Sequence, residues 1–252
     1  MSLASSMLKV PNLAASPAAS WPSAGRIAAA ATLVLSAAFP LASHLIYAGG
    51  IPTDRTIDWL HWIANYPDIA GLAKVFDILA LPFLFGAALV YVLLSRQRSP
   101  RLAYAGGILL GCGLVGLSAV EGYETLAYTL AHDGRFELAT LADPVDAMSS
   151  VPAIVMLLLL VLGAFFGLLT LAVALWRSGA VPRAAVLMML AFLIVDFVLY
   201  EGFGIAPAWA SHVFDFVGAC WIASAVLVAG RAGPSGEALR QVSSVQQSRR
   251  SA

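Results

Sequence analysis

Charge is what this chain has least of. Of its 252 residues only 11% are Asp, Glu, Lys or Arg, whereas 60% are hydrophobic. So few polar side chains cannot cover a water-facing surface, which excludes a soluble globular domain. Cysteine is almost as scarce. Cys112 and Cys220 lie in apolar runs far apart in sequence, so there is no disulfide framework and no CxxC pair. Both are expected to be small, buried side chains. The histidines number four, with no HExxH and no paired metal-type motif, and no GxSxG is present. Only His44 and His212 approach apolar segments, both near the same side, which argues against a bis-histidine haem. No sizeable basic domain exists, so nucleic-acid binding has no support.

What the chain has is long apolar runs, and a mean hydropathy of +0.86. The reading is an all-α polytopic membrane protein in contact with a lipid bilayer. Six transmembrane helices are expected over about residues 27–48, 69–94, 102–130, 152–176, 184–203 and 207–229. They form a membrane domain over 26–230, flanked by tails at 1–25 and 231–252 that are expected to be flexible and cytoplasmic. The first tail is rich in Ala, Ser and Pro, with Lys9 its only charge. The run at 27–48 is too long for the h-region of a cleaved signal peptide.

Proline and glycine refine this picture. Pro40 and Pro82 are placed to kink their helices, and Pro67 to start one. Gly106, Gly107, Gly111, Gly113 and Gly116 give the third span a thin side for close helix packing. Between the first two spans, Thr53 or Asp54 can cap a short helix over 55–65. Its Trp59 and Trp62, with Tyr66 just beyond, suit the membrane interface. Residues 131–151 read as an acidic loop carrying Asp133, Glu137, Asp143 and Asp146, with Ser149 or Ser150 capping the fourth span.

The charges are sorted by side. With six spans, one side holds Lys9, Arg26, Arg96, Arg98, Arg101, Arg177, Arg183, Arg231, Arg240, Arg249 and Arg250, and the other only Arg55, Lys74 and Arg135. The positive-inside rule then places both termini in the cytoplasm. Glu237 is the only acid on that side.

Ionisable groups inside the spans are the candidate site. A charge at the bilayer centre costs roughly 2.5–3.5 kcal/mol on insertion scales unless it is paired, hydrated or neutralised. Asp196 falls near the middle of the fifth span. Asp77, Asp215 and His44 lie roughly one to two turns outward of the midplane at a rise of about 1.5 Å per residue. Glu121 is shallower, and Glu124, Glu201 and His212 belong near the outer mouth. Lys74 with Asp77, Glu121 with Glu124, and His212 with Asp215 are i, i+3 pairs, and Asp196 with Tyr200 is i, i+4, so each pair shares a helix face. KVFDIL (Lys74 to Leu79) and HVFDFV (His212 to Val217) are alike in pattern and depth.

If these groups converge, they line an acidic pocket open to the outside, with Asp196 as its deep proton or cation site, Asp77 and Asp215 beside it, and Glu121 and His44 as its upper wall. Such a pocket would bind or transport a proton, a cation or a small polar solute, since buried carboxylates exchange protons near neutral pH and attract cations. The two three-helix halves run in opposite directions, as inverted repeats require, although no span has an evident unwound centre. A second reading is an outward-facing, metal-assisted membrane enzyme with His44, Asp77, His212 and Asp215 as ligands. A third is a non-catalytic subunit or assembly protein that docks a protein partner through 55–65 and 131–151. Each group taken singly also suits a bland role, as an interhelical hydrogen bond worth about 0.6 kcal/mol. Asp196 suits it least, because of its depth. No cofactor is identified.

The segment GLLTLAVALWRSGAVPRAAVLMML (Gly167 to Leu190) carries a further signal. It resembles a group of bacterial six-helix membrane proteins of unknown function. In them a Leu-Tyr/Trp-Arg-Ser-Gly-x-x-Pro-Arg link joins a glycine-containing helix to an apolar one. The resemblance covers about residues 140–195 and implies a six-helix fold in a bacterial plasma membrane. It implies no activity, and the stretch from Asp196 to Asp215 lies outside its pattern.

Overall fold

The computed structural model describes residues 16–48, 56–146, 151–200 and 207–229. Among these the chain is helical, with no strand. We number the helices α1 (Ser23–Ala48), α2 (Thr56–Asn65), α3 (Pro67–Ser95), α4 (Pro100–Asp133), α5 (Leu138–Asp146), α6 (Val151–Ser178), α7 (Arg183–Leu193) and α8 (Ala208–Ala229). α7 continues as a π-helix over Ile194–Tyr200. Six of these elements, α1, α3, α4, α6, α7 with its π extension, and α8, are long and apolar enough to cross a membrane. Large apolar side chains such as Ile27, Leu89, Ile108, Leu126 and Leu158 point outward, as lipid-facing residues do. The protein is a multi-pass, all-α membrane protein.

The spans pack as a ring in chain order: α1 on α3, α3 on α4, α4 on α6, α6 on α7, α7 on α8, and α8 back on α1. Pro67 and Pro100 occupy the first turns of α3 and α4, where a missing backbone N–H costs nothing. Gly134 and Gly179 follow α4 and α6 with φ of 67° and 62°, the left-handed conformation that glycine adopts without strain. At the second of these ends, Arg98 donates from Nη1 to the Ser178 carbonyl at 2.7 Å, placing a cation on the carbonyl end of α6.

α4 meets α6 through glycine. A Cβ on Gly163 would lie 2.5 Å from the backbone nitrogen of Gly113, and one on Gly116 would lie 2.5 Å from that of Leu160. Gly106 opens onto Leu171 in the same seam. The thin face expected of this helix is therefore used, with Gly163 and Gly167 of α6 as its partners. Gly107 instead faces Val92 of α3, and Gly111 faces open space.

Two apolar clusters lie along the bundle. The larger includes Leu33, Leu94, Leu114, Leu171, Leu175, Val186, Ile222 and Val226, and fills the half where the arginine-bearing links sit. The smaller joins Leu60, Trp62 and Ile63 of α2 to Ala70, Ala127, Ala131 and Ala142. Its helices α2 and α5 pack on one another and on the far ends of α3 and α4. α4 has 34 residues, about 50 Å at the α-helical rise, against a hydrocarbon core of about 30 Å. Its surplus length gives α2 and α5 a protein surface to cover.

Several sequence expectations change. Residues 131–151 are not simply a loop, since they contain α5, whose Ala142 is buried against α2. The apolar face of α2 covers protein rather than only the membrane interface. Residues 16–25 are not flexible tail: a 3₁₀ turn over Pro17–Ser20 precedes α1, and Pro17 and Ala18 are buried because the turn packs on the ends of α3 and α8. Cys112 is exposed and Cys220 only partly covered, since both sit on outward faces where an apolar thiol meets lipid without penalty. Thr53, Asp54, Ser149, Ser150 and Glu201 lie outside the described residues.

Candidate functional site

Between the two apolar clusters lies a band of ionisable side chains, and it begins with a buried lysine. Lys74 of α3 is 4% exposed, a position an ammonium group tolerates only with partners. Its Nζ lies 2.6 Å from Glu124 Oε2, 2.9 Å from Glu121 Oε2 and 3.4 Å from Asp77 Oδ2. The i, i+3 spacing of the two glutamates puts both on the face of α4 that meets α3. Exposure falls from 40% at Glu124 to 14% at Glu121 and 11% at Asp77, so the cage is entered from the Glu124 side. One turn beyond Lys74, Tyr128 donates its hydroxyl to the Pro67 carbonyl at 3.1 Å and holds the two helices in register.

α1 closes the cage from the other side. Tyr47 lies within electrostatic range of Lys74, Asp77, Glu121 and Glu124. Ser43, fully buried, faces Asp77 without a hydrogen bond of ordinary geometry. Tyr47 also packs on Trp62 of α2, with ring centroids 5.6 Å apart, so the apolar cap reaches directly over the cage.

His44 carries the band onward. Its Nδ1 lies 2.9 Å from the carbonyl of Pro40. A carbonyl only accepts, so Nδ1 bears hydrogen and a neutral His44 keeps Nε2 as a free acceptor. The His44 ring stacks obliquely on that of His212 of α8, with centroids 4.0 Å apart. His44 is within electrostatic range of both Asp77 and Asp196. Phe192 of α7 flanks His212 with ring centroids 5.7 Å apart.

The far end of the band is the Asp196 carboxyl, which accepts a hydrogen bond from Ser211 Oγ at 2.8 Å. Asp215 is within electrostatic range of Asp196 and of the buried Tyr91 of α3. Asp196 is carried by the π-helical turns, a geometry frequent at functional sites. The sequence gives no sign of this departure from α-helix. IVDFVLY contains neither Pro nor Gly, the residues by which an interrupted span is ordinarily recognised.

Asp77, Glu121, His44, His212, Asp196 and Asp215 thus fall in one band that follows the ring from α4 through α3, α1 and α8 to the π-helix. α6 adds no ionisable group to it. Tyr200 ends the π-helix and is partly exposed. Comparison with protein families, characterised proteins and solved structures finds no match. The chemistry of the band is therefore read from its own geometry.

That geometry makes two points. Among the described residues, no three His, Cys, Asp or Glu side chains are arranged to hold one metal ion. The expected set of His44, Asp77, His212 and Asp215 is divided, with the two histidines ring against ring. The other point is a pair of residues that sequence reasoning missed, Ser43 and Ser211. A signal for them does exist, because the tripeptide Ala-Ser-His occurs at 42–44 in α1 and again at 210–212 in α8. Each copy offers its histidine to the other copy, and its serine to a carboxylate on the neighbouring span, Asp77 or Asp196.

Proposed function

We propose that the protein carries protons across the membrane by way of this band. Two carboxylate stations, the Asp77 cage and the Asp196–Asp215 pair, would exchange protons through His44 and His212. The observation that carries the reading is the continuity of the band. Groups able to take and give a proton follow one another across neighbouring spans, and a histidine pair stands between the acids. Proton handling is favoured over metal chemistry because the donors do not converge on a point, and over an open cation pocket because Lys74 already fills the carboxylate cage. Asp196 is the deep station and Glu124 the point of entry. The arginine asymmetry supports a plasma-membrane orientation with both termini cytoplasmic, and the resemblance over 140–195 supports a bacterial source. The band then faces the outer side.

Proteoliposomes loaded with a pH-sensitive dye test the reading. With the membrane potential clamped, an imposed pH gradient should collapse faster than in protein-free vesicles. Asp196→Asn and His44→Phe should return the rate towards that of empty vesicles while leaving the protein folded. Wild-type vesicles no leakier to protons than empty ones would sink it.

A further inference from the structure

The cage around Lys74 has the form of a filled cation site. Three carboxylates from α3 and α4 place oxygens 2.6, 2.9 and 3.4 Å from one ammonium nitrogen. The fully buried Ser43 hydroxyl faces Asp77 of this group and makes no hydrogen bond of ordinary geometry. Carboxylates at such spacing, shielded from bulk water, would otherwise draw in a solute cation. We propose that Lys74 is a specificity residue. It is a tethered ammonium that occupies a latent site for a monovalent, ammonium-class cation, and so reserves the band for protons. This deepens the reading of the band as a proton path.

The physical reason is the tether. An external cation could enter only by expelling Lys74 from its carboxylates into surroundings formed by Tyr47, Tyr128 and the apolar cap. An uncompensated ammonium is costly there. Effective concentration also favours the lysine, because its ammonium is always at the site. A proton needs no such displacement, since it adds to an oxygen already present.

The test removes the tethered cation and offers a free one. Full-length protein in detergent is unfolded thermally as wild type, Lys74→Arg and Lys74→Ala, in graded ethylammonium chloride, with tetramethylammonium chloride as the size and ionic-strength control. Ethylammonium should raise the midpoint of Lys74→Ala saturably, with an apparent affinity at least about tenfold above any seen for wild type. Wild type and Lys74→Arg should respond to the two salts alike. The inference fails if folded Lys74→Ala responds to ethylammonium no more than wild type does. It fails equally if wild type is itself saturably stabilised, because the cage would then admit solutes with its lysine in place. Should Lys74→Ala not fold, the double variant Lys74→Ala/Glu121→Gln removes one charge of each sign and faces the same two outcomes. None of these readings depends on proton flux. A cation-binding Lys74→Ala alongside proton-tight wild-type vesicles would refute the proton path and leave the latent site standing.

Discussion

Helix α4 makes two contacts of opposite kind. Against α6 it lays glycine on backbone, at Gly113 on Gly163, with no charge in the seam. Against α3, two to three turns further along, it sets Glu121 and Glu124 on a buried lysine. The first contact is specified by volume and the second by charge. Each should therefore be indifferent to what destroys the other. The stiff apolar seam fixes where α4 stands, and the polar seam uses that fixed position to hold groups that lipid would reject.

The largest effect expected is at the charged contact. Lys74→Met keeps the volume and removes the only cation among three carboxylates. Breaking a buried ion pair by deleting one partner costs about 3–5 kcal/mol. Chemical or thermal unfolding in detergent should show a loss of that order, smaller at acid pH, where the carboxyls are neutral in the variant. A variant as stable as wild type at neutral pH would mean that water reaches the cage freely. At the apolar contact the opposite rule holds. Gly163→Ala and Gly113→Ala change no charge, yet each drives a methyl group into backbone. They should cost about 1–3 kcal/mol, the usual range for overpacking. That loss should be the same at every pH, which separates it from the first.

A smaller effect is expected at Ser211, whose hydroxyl donates to Asp196. Ser211→Ala should cost about 0.5–1.5 kcal/mol, the typical worth of one hydrogen bond. It should also alter the carboxyl infrared band of Asp196, identified by its loss in Asp196→Asn. An unchanged band would show that Ser211 does not govern this acid.

The two contacts were not equally legible in the sequence. The five glycines of α4 announce close packing, although composition does not tell Gly106, Gly113 and Gly116, which meet α6, from Gly107 and Gly111, which do not. The spans were legible because apolar length has one meaning in a chain of this composition. The polar band was legible only as a list of depths. Helical rise gives depth, but nothing in one helix says which way it is rotated against its neighbours. Lys74 with Asp77 therefore read only as two groups sharing one helix face, and the two glutamates of α4 that complete the cage could not be assigned to it. Ser43 and Ser211 were marked only by the repeated Ala-Ser-His, and not by their residue type. Serine in a span ordinarily bonds back to its own helix, as Ser118 does to the Leu114 carbonyl at 2.8 Å, and so signals nothing. The π-helix at Ile194–Tyr200 was hidden because IVDFVLY contains neither Pro nor Gly and continues the apolar run of α7. α5 escaped notice because its acids look solvated, while the few apolar residues that seat it on α2 are spread along a short segment.

The smallest effect sharpens the comparison most. Gly111 and Gly113 lie two residues apart on α4 and are indistinguishable by composition or hydropathy. A Cβ at Gly113 would strike α6, whereas one at Gly111 would meet nothing within 4 Å. Alanine favours the helical state over glycine by about 0.8–1.0 kcal/mol where no contact opposes it. Gly111→Ala should therefore raise stability by up to about that amount, while Gly113→Ala lowers it. Opposite signs for one methyl group at neighbouring positions would tie the α4–α6 seam to backbone contact on a single face. If both variants lost stability alike, the glycines would instead be serving the flexibility of α4 as a whole. Glu121 and Glu124, one to two turns beyond the seam, would then sit on a helix able to move them against Lys74.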